Sequence, residues 1–133
     1  MTKFMLDTNI CIYLMRHQPE SVAKRFSSCQ VGDVVMSAIT YAELQFGVLM
    51  AESALREREN LASLVEDIPV ACFDPKAAQA YGFVRFATKE IKKDQLDKLI
   101  AAHALSLGLT LVTNNERDFE KYPNLTMENW LNE

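Results

Sequence analysis

The feature that most restricts what this chain can fold into is a rhythm. Short apolar runs alternate with longer stretches of helical period. The runs are KFML at 3–6, DVVMS at 33–37, PVACF at 69–73 and TLVT at 110–113. Each is too short for a buried helix and reads as a strand covered on both faces, which is the signature of an α/β domain with a mainly parallel sheet. Between the runs, residues 8–16 read as a helix with Ile10, Tyr13 and Leu14 on one face. Pro19 opens a second helix at the tolerated first-turn position. Ser37 or Thr40 caps a third, which runs to about 51, with an apolar stripe at 39, 42, 46 and 49 bordered by Glu43. Residues 54–67 form a charged amphipathic helix. Further helices run from Pro75 to about Ile91 and from about Asp94 to Leu107, where Gly108 is a natural stop. LTMENW supplies a short edge strand, and Trp130 pins the tail to the body.

The chain has 133 residues, 49% hydrophobic and 24% charged, which suits one globular domain spanning 1–133. These proportions exclude disorder and coiled coil. No apolar run approaches the length of a spanning helix, so no membrane partner is expected. The opening MTKFMLDTN lacks the apolar core and cleavage site of a secretory signal, and a cytoplasmic address is expected. Cys11, Cys29 and Cys72 show no CxxC spacing, so they suggest neither a disulfide framework nor a zinc cage. Cys11 and Cys72 sit in apolar surroundings and read as buried thiols. Net charge is −4. From Lys76 to Lys98, six basic residues face three acids, a window of +3 that leaves −7 for the rest. Such an island can hold a polyanion or simply be a solvated helix face.

In open parallel sheets, ligands bind beyond the carboxyl ends of the strands where strand order reverses. The first strand delivers Asp7 there, in Leu6-Asp7-Thr8-Asn9. Asp7 reads equally as a helix cap and as a functional acid. The helix after the second strand carries Glu43. The fourth strand leads to Asn114, Asn115 and Asp118, and the helix before it carries Asp97, with Asp94 one turn earlier. Each acid has an ordinary explanation: solvent exposure for Glu43, the helix dipole for Asp97, turn chemistry for Asp118. Together they are four carboxylates that a doubly wound sheet would gather. Gathered carboxylates repel unless a cation sits among them. An all-oxygen donor set suits Mg²⁺ or Mn²⁺, and such a site activates water for attack on a phosphodiester.

The segments LDTNICIYLM, SAITYAELQFG, LDKLIAAHALSLGLTLVTNN and DFEKYP, in this order and spacing, resemble a PIN domain. More narrowly they are similar to the VapC toxins of type II toxin–antitoxin modules, over essentially the whole chain. The resemblance implies a three-layer α/β/α PIN-like fold and a Mg²⁺-dependent endoribonuclease, with Mn²⁺ as an alternative ion. It implies catalytic, metal-holding acids at Asp7, Glu43, Asp97 and Asp118, with Thr8, Asn9 and Asn115 in support. It further implies cleavage of initiator tRNA(fMet) in the anticodon stem-loop, a cognate VapB antitoxin, a homodimer, and a higher hetero-oligomer with the antitoxin. Many VapC chains carry a Gly/Pro-rich segment before the third acid. This chain has Lys89-Glu90-Ile91-Lys92-Lys93-Asp94 instead, which leaves membership of Asp94 in the site open.

Beside an acidic site, Lys89, Lys92, Lys93 and Lys98 gain weight as contacts for an RNA backbone. His103 lies on the stripe Leu96, Leu99, Ile100, Leu107 and reads as a core or interface residue. Phe46, Leu49 and Met50 fit a core, a dimer surface or a groove for an antitoxin helix. Three rival readings share parts of this pattern. A phosphorelay receiver needs paired acids after the first strand, and Asp7 stands alone. An aspartyl phosphatase needs DxD, and Asn9 occupies the second place. A PIN scaffold that only binds partners need not retain all four acids.

Overall fold

In the computed structural model, residues 1–131 are described. Five parallel strands, β1 (Phe4–Leu6), β2 (Val34–Ser37), β3 (Val70–Ala71), β4 (Thr110–Val112) and β5 (Met127–Glu128), lie in the order β3-β2-β1-β4-β5. Seven helices surround them: α1 (Thr8–Arg16), α2 (Glu20–Ser27), α3 (Ala38–Met50), α4 (Ala54–Asp67), α5 (Pro75–Ala87), α6 (Gln95–Leu107) and α7 (Glu116–Phe119). β1 is central: Leu6 pairs with Met36 on one side and Val112 on the other. Strand order reverses between β1 and β4. A receiver-type sheet has the order 2-1-3-4-5, so that rival fails on topology.

Alternate residues of each strand face opposite layers. Leu6, Met36 and Val112 join Ile10, Leu14, Leu44, Leu61 and Trp130 in one core. Met5 and Leu111 join Val84, Ile100, Phe119 and three alanines of α6 in the other. Ala101, Ala102 and Ala104 are fully buried, and their short side chains let α6 lie close on the sheet. Trp130 is fully buried, meets Phe4 edge-on and carries Arg25 on its ring, as expected of a tail anchor. Gly108, at φ +67°, ends α6.

The structure corrects several expectations. The third strand covers only Val70–Ala71, and Cys72 beyond it is exposed. Helix α3 buries Thr40, Leu44 and Val48, whereas Phe46, Leu49 and Met50 are exposed. The apolar stripe read from the sequence is therefore mostly the outer face. Pro19 caps α2 instead of opening it. Helix α5 stops at Ala87, well before Ile91. The reason is Lys98, only 1% exposed, whose ammonium donates to the Thr88 carbonyl (3.2 Å) and to that of Ile91. The chain from 88 to 91 curls around that charge. Lys98 is thus an internal strut, and its place among the RNA-contacting lysines is withdrawn.

Candidate active site

The crevice between the carboxyl ends of β1 and β4 is held shut at its base by the Asp7 N–H donating to the Val112 carbonyl (3.0 Å). Asp7 caps α1: the Ile10 N–H donates to its Oδ1 at 3.0 Å. Capping and placement in the crevice are therefore not alternatives, since the cap hydrogen bond fixes the carboxylate while its other oxygen remains for a second partner. Asp7 is 5% exposed. Burial pushes its carboxyl up to about 6, against the Thr113 hydroxyl and the Ile10 N–H, with the charges of Asp97 and Glu43 adding to the rise.

Glu43 arrives from α3. The Thr8 hydroxyl donates to its Oε1 at 2.6 Å and lies 3.3 Å from the Thr40 hydroxyl. Thr8 thereby ties the first turn of α1 to α3. Asp97, in the first turn of α6, is half-buried. Burial raises it to about 6, and the charges of Asp94, Asp118 and Glu43 push the same way, with Lys121 opposing. The carboxylates of Asp7, Glu43, Asp97 and Asp118 thus lie within electrostatic reach of one another in a chain, although they come from four separate segments. Asp94 belongs to the neighbourhood, and its carboxylate is engaged by Lys121 at 3.0 Å. Asp94 takes the left-handed conformation at φ +65° ahead of α6, with no side-chain capping bond. Asn115 donates to Asp118 at 2.5 Å. Asn9 is exposed and meets Asn114 at 3.4 Å, and Asn114 in turn donates to the Tyr13 hydroxyl at 3.1 Å.

The donor chemistry fits a divalent cation. Burial first, and then the charges of neighbouring carboxylates, raises both Asp7 and Asp97, and the basic group beside Asp97 is already paired with Asp94. A hard cation relieves that repulsion using the oxygen ligands present. Among the described residues no three His, Cys, Asp or Glu side chains are already gathered at ligand spacing.

Lys89, Lys92 and Lys93 are exposed on the segment joining α5 to α6, and Lys89 lies 4.5 Å from the Phe86 ring centroid. His103 is fully buried, with Nδ1 2.7 Å from the Ser37 hydroxyl, and takes no part in the crevice. Sequence reasoning singled out neither Lys121 nor Tyr122. Both are in the DFEKYP segment, yet their relation to Asp94 and Asp97 exists only after α6 and α7 pack. Thr113 and Asn114 had a visible signal, since they directly follow β4.

Residues 4–125 match the PIN domain family. The chain is 39% identical, over 98% of its length and 99% of the relative's, to the tRNA(fMet)-specific endonuclease VapC of Shigella flexneri. It is 36% identical to ribonuclease VapC2 of Haemophilus influenzae, over 98% of this chain and all of the other. Among solved structures, DNA-bound VapBC from Salmonella typhimurium superposes with a TM-score of 0.90 at 36% identity, covering 98% of this chain and 99% of that one.

Proposed function

The chain belongs to the PIN-domain family, and on that premise we propose that it is the toxin of a VapBC-type module, a metal-dependent endoribonuclease. Its substrate is initiator tRNA(fMet), cut in the anticodon stem-loop, which stops translation in the cytoplasm. The ion is Mg²⁺, with Mn²⁺ as a substitute. A cognate VapB antitoxin restrains it, and the toxin works as a homodimer that assembles further with the antitoxin. No helix among the described residues is long and apolar enough to cross a membrane.

The observation that carries this reading is that Asp7, Glu43, Asp97 and Asp118, from four separate segments, come within electrostatic reach of one another at one sheet crevice. Asp7 and Asp97, with Glu43 and Asp118, hold the cation. The bound ion supplies water activation and stabilisation of the departing oxygen. Thr8 holds the Glu43 carboxylate by a hydrogen bond, and Asn115 does the same for Asp118. Asn9 braces the mouth of the crevice through Asn114. Lys89, Lys92 and Lys93 meet the phosphate backbone, bringing positive charge to a protein that is acidic elsewhere. Phe46, Leu49 and Met50 present the apolar face for a protein partner.

Two experiments test this. Purified protein should cleave tRNA(fMet) with Mg²⁺ and stop when the ion is chelated, and sequencing the 5′ ends of cellular RNA after brief expression should map one dominant anticodon-loop cut. Expression alone should arrest growth, and coexpressed VapB should restore it. Folded protein that leaves RNA intact and growth normal would remove the reading.

A further inference from the structure

Tyr122 stands just beyond α7 and is 2% exposed. Its ring packs edge-on against Phe119, with centroids 5.8 Å apart. The ammonium of Lys121 lies 5.2 Å from the centre of the same ring and reaches Asp94 at 3.0 Å. The phenol therefore lies beside the acidic crevice. Its hydroxyl is buried and has no hydrogen-bond partner among the described residues. Burial first, then the charges of Asp97, Asp94 and Asp118, hold the phenol well above its ordinary range, so it carries its proton at any physiological pH and can only be a donor towards these acids.

Packing does not call for that hydroxyl. Leaving a buried donor unpaired costs about 1–3 kcal/mol, and a phenylalanine ring would fill the same space without the cost. His103 Nε2 likewise has no partner among the described residues, but it lies in the packed core with Phe73 against its ring. At Tyr122 the unpaired donor lies within electrostatic reach of Asp97, Asp94 and Asp118. We propose that Tyr122 is a positioning residue of this site, its buried O–H donating to the oxygen shell of the divalent cation that Asp97 helps to hold. The inference rests on the metal-dependent reading above. Tyr122 touches no reacting atom. It acts through Asp97 and the ion, as outer partners of metal ligands do, and loss of such partners costs roughly 10–100-fold in metal affinity or activity.

The test is Tyr122→Phe, followed by calorimetric Mn²⁺ titration without RNA and by steady-state cleavage of tRNA(fMet). The variant should melt no lower than the wild type in chelator. It should bind Mn²⁺ about tenfold more weakly and lose kcat by a similar factor at saturating RNA, with KM for RNA unchanged. In an Asp97→Asn background the same substitution should leave Mn²⁺ affinity unaltered, because its route runs through that carboxylate. Metal affinity and kcat within twofold of wild type would overturn the inference and leave the nuclease reading intact. A wild type that binds Mn²⁺ but cuts no RNA would remove the nuclease reading, and the titration alone would still decide the role of Tyr122. A wild type that binds no Mn²⁺ overturns both.

Discussion

The two flanks of the crevice reach similar acidities from different settings. On the α1 flank a single carboxylate, Asp7, is sunk at the end of the central strand and held by a cap hydrogen bond, and burial is what raises it. On the α6 flank burial is again the largest cause, but Asp97 is half open to solvent and three neighbouring carboxylates add to the rise. One flank is built like a core and the other like a charged surface. The difference teaches that a shared shift does not imply a shared response. A change on the first flank is felt by the whole fold, whereas on the second it is felt by the ion and the polyanion.

The largest effect that tests this contrast is on cleavage. Asp7→Asn and Asp97→Asn should each cut the rate by more than about 100-fold at saturating Mg²⁺, beyond what loss of an outer partner costs. Their stabilities in chelator should diverge. Asp7→Asn keeps an oxygen for the Ile10 N–H while removing a buried charge, and should raise stability at pH 7.5 by up to about 3 kcal/mol. Asp97→Asn, being solvent-screened, should gain clearly less in urea unfolding. Equal gains would erase the distinction.

The same contrast has a pH signature. Both carboxyls are raised, so between about pH 4 and pH 6 the folded protein holds protons that the unfolded chain has released. Stability in chelator should therefore fall as pH rises through that window, with Asp7 accounting for up to about 3 kcal/mol, and should level off above it. This is opposite in sign to a salt-bridged carboxylate. Mg²⁺ should recover the loss most fully above pH 6. Urea midpoints at pH 4.5 and 7.5, with and without the ion, check it, and a rise in the chelated midpoint with pH would contradict the assignment.

The α6 flank also contains one element that behaves like core. Lys98→Met should strand the Thr88 and Ile91 carbonyls and lower stability by about 2 kcal/mol. It should leave the salt dependence of RNA binding unchanged in the Asp97→Asn background. The smallest effects belong to the exposed lysines. Replacing Lys89, Lys92 and Lys93 by Gln should leave stability and Mn²⁺ affinity unchanged while flattening the salt slope of RNA binding by roughly one unit per lost contact. An unaltered slope would make this segment a solvated face and send RNA elsewhere.

Asp7 was legible because it directly follows the apolar run of β1, where turn chemistry begins, whereas Glu43, Asp97 and Asp118 lie within helices and stood out only as members of a set. Helix α4 was legible to the residue from its charged amphipathic pattern, and Ser53 caps it in the structure. The inner face of α3 was not legible. Phe46, Leu49 and Met50 are as apolar as Leu44 and Val48, and hydrophobicity does not say whether a side chain meets its own core or solvent. Lys98 was misplaced because its acceptors are carbonyls whose position depends on the α5–α6 packing. Cys72 read as buried because the strand was drawn too long. Tyr122 gave no signal of its own, since what marks it is the absence of a partner, a property of the packed fold.

The place of β1 at the centre of the sheet has a consequence for folding kinetics. Its pairing with β2 joins segments close in the chain, but its pairing with β4 joins Phe4 to Thr110. The crevice exists only once that long loop has closed, and contacts of such sequence separation form slowly because the closure entropy precedes any reward. Until then Asp7 has no Val112 carbonyl beneath it and no Asp97 opposite. A chain that has assembled only its first layer carries one flank of the site, so hydrolytic competence arrives together with completion of the fold and not by degrees.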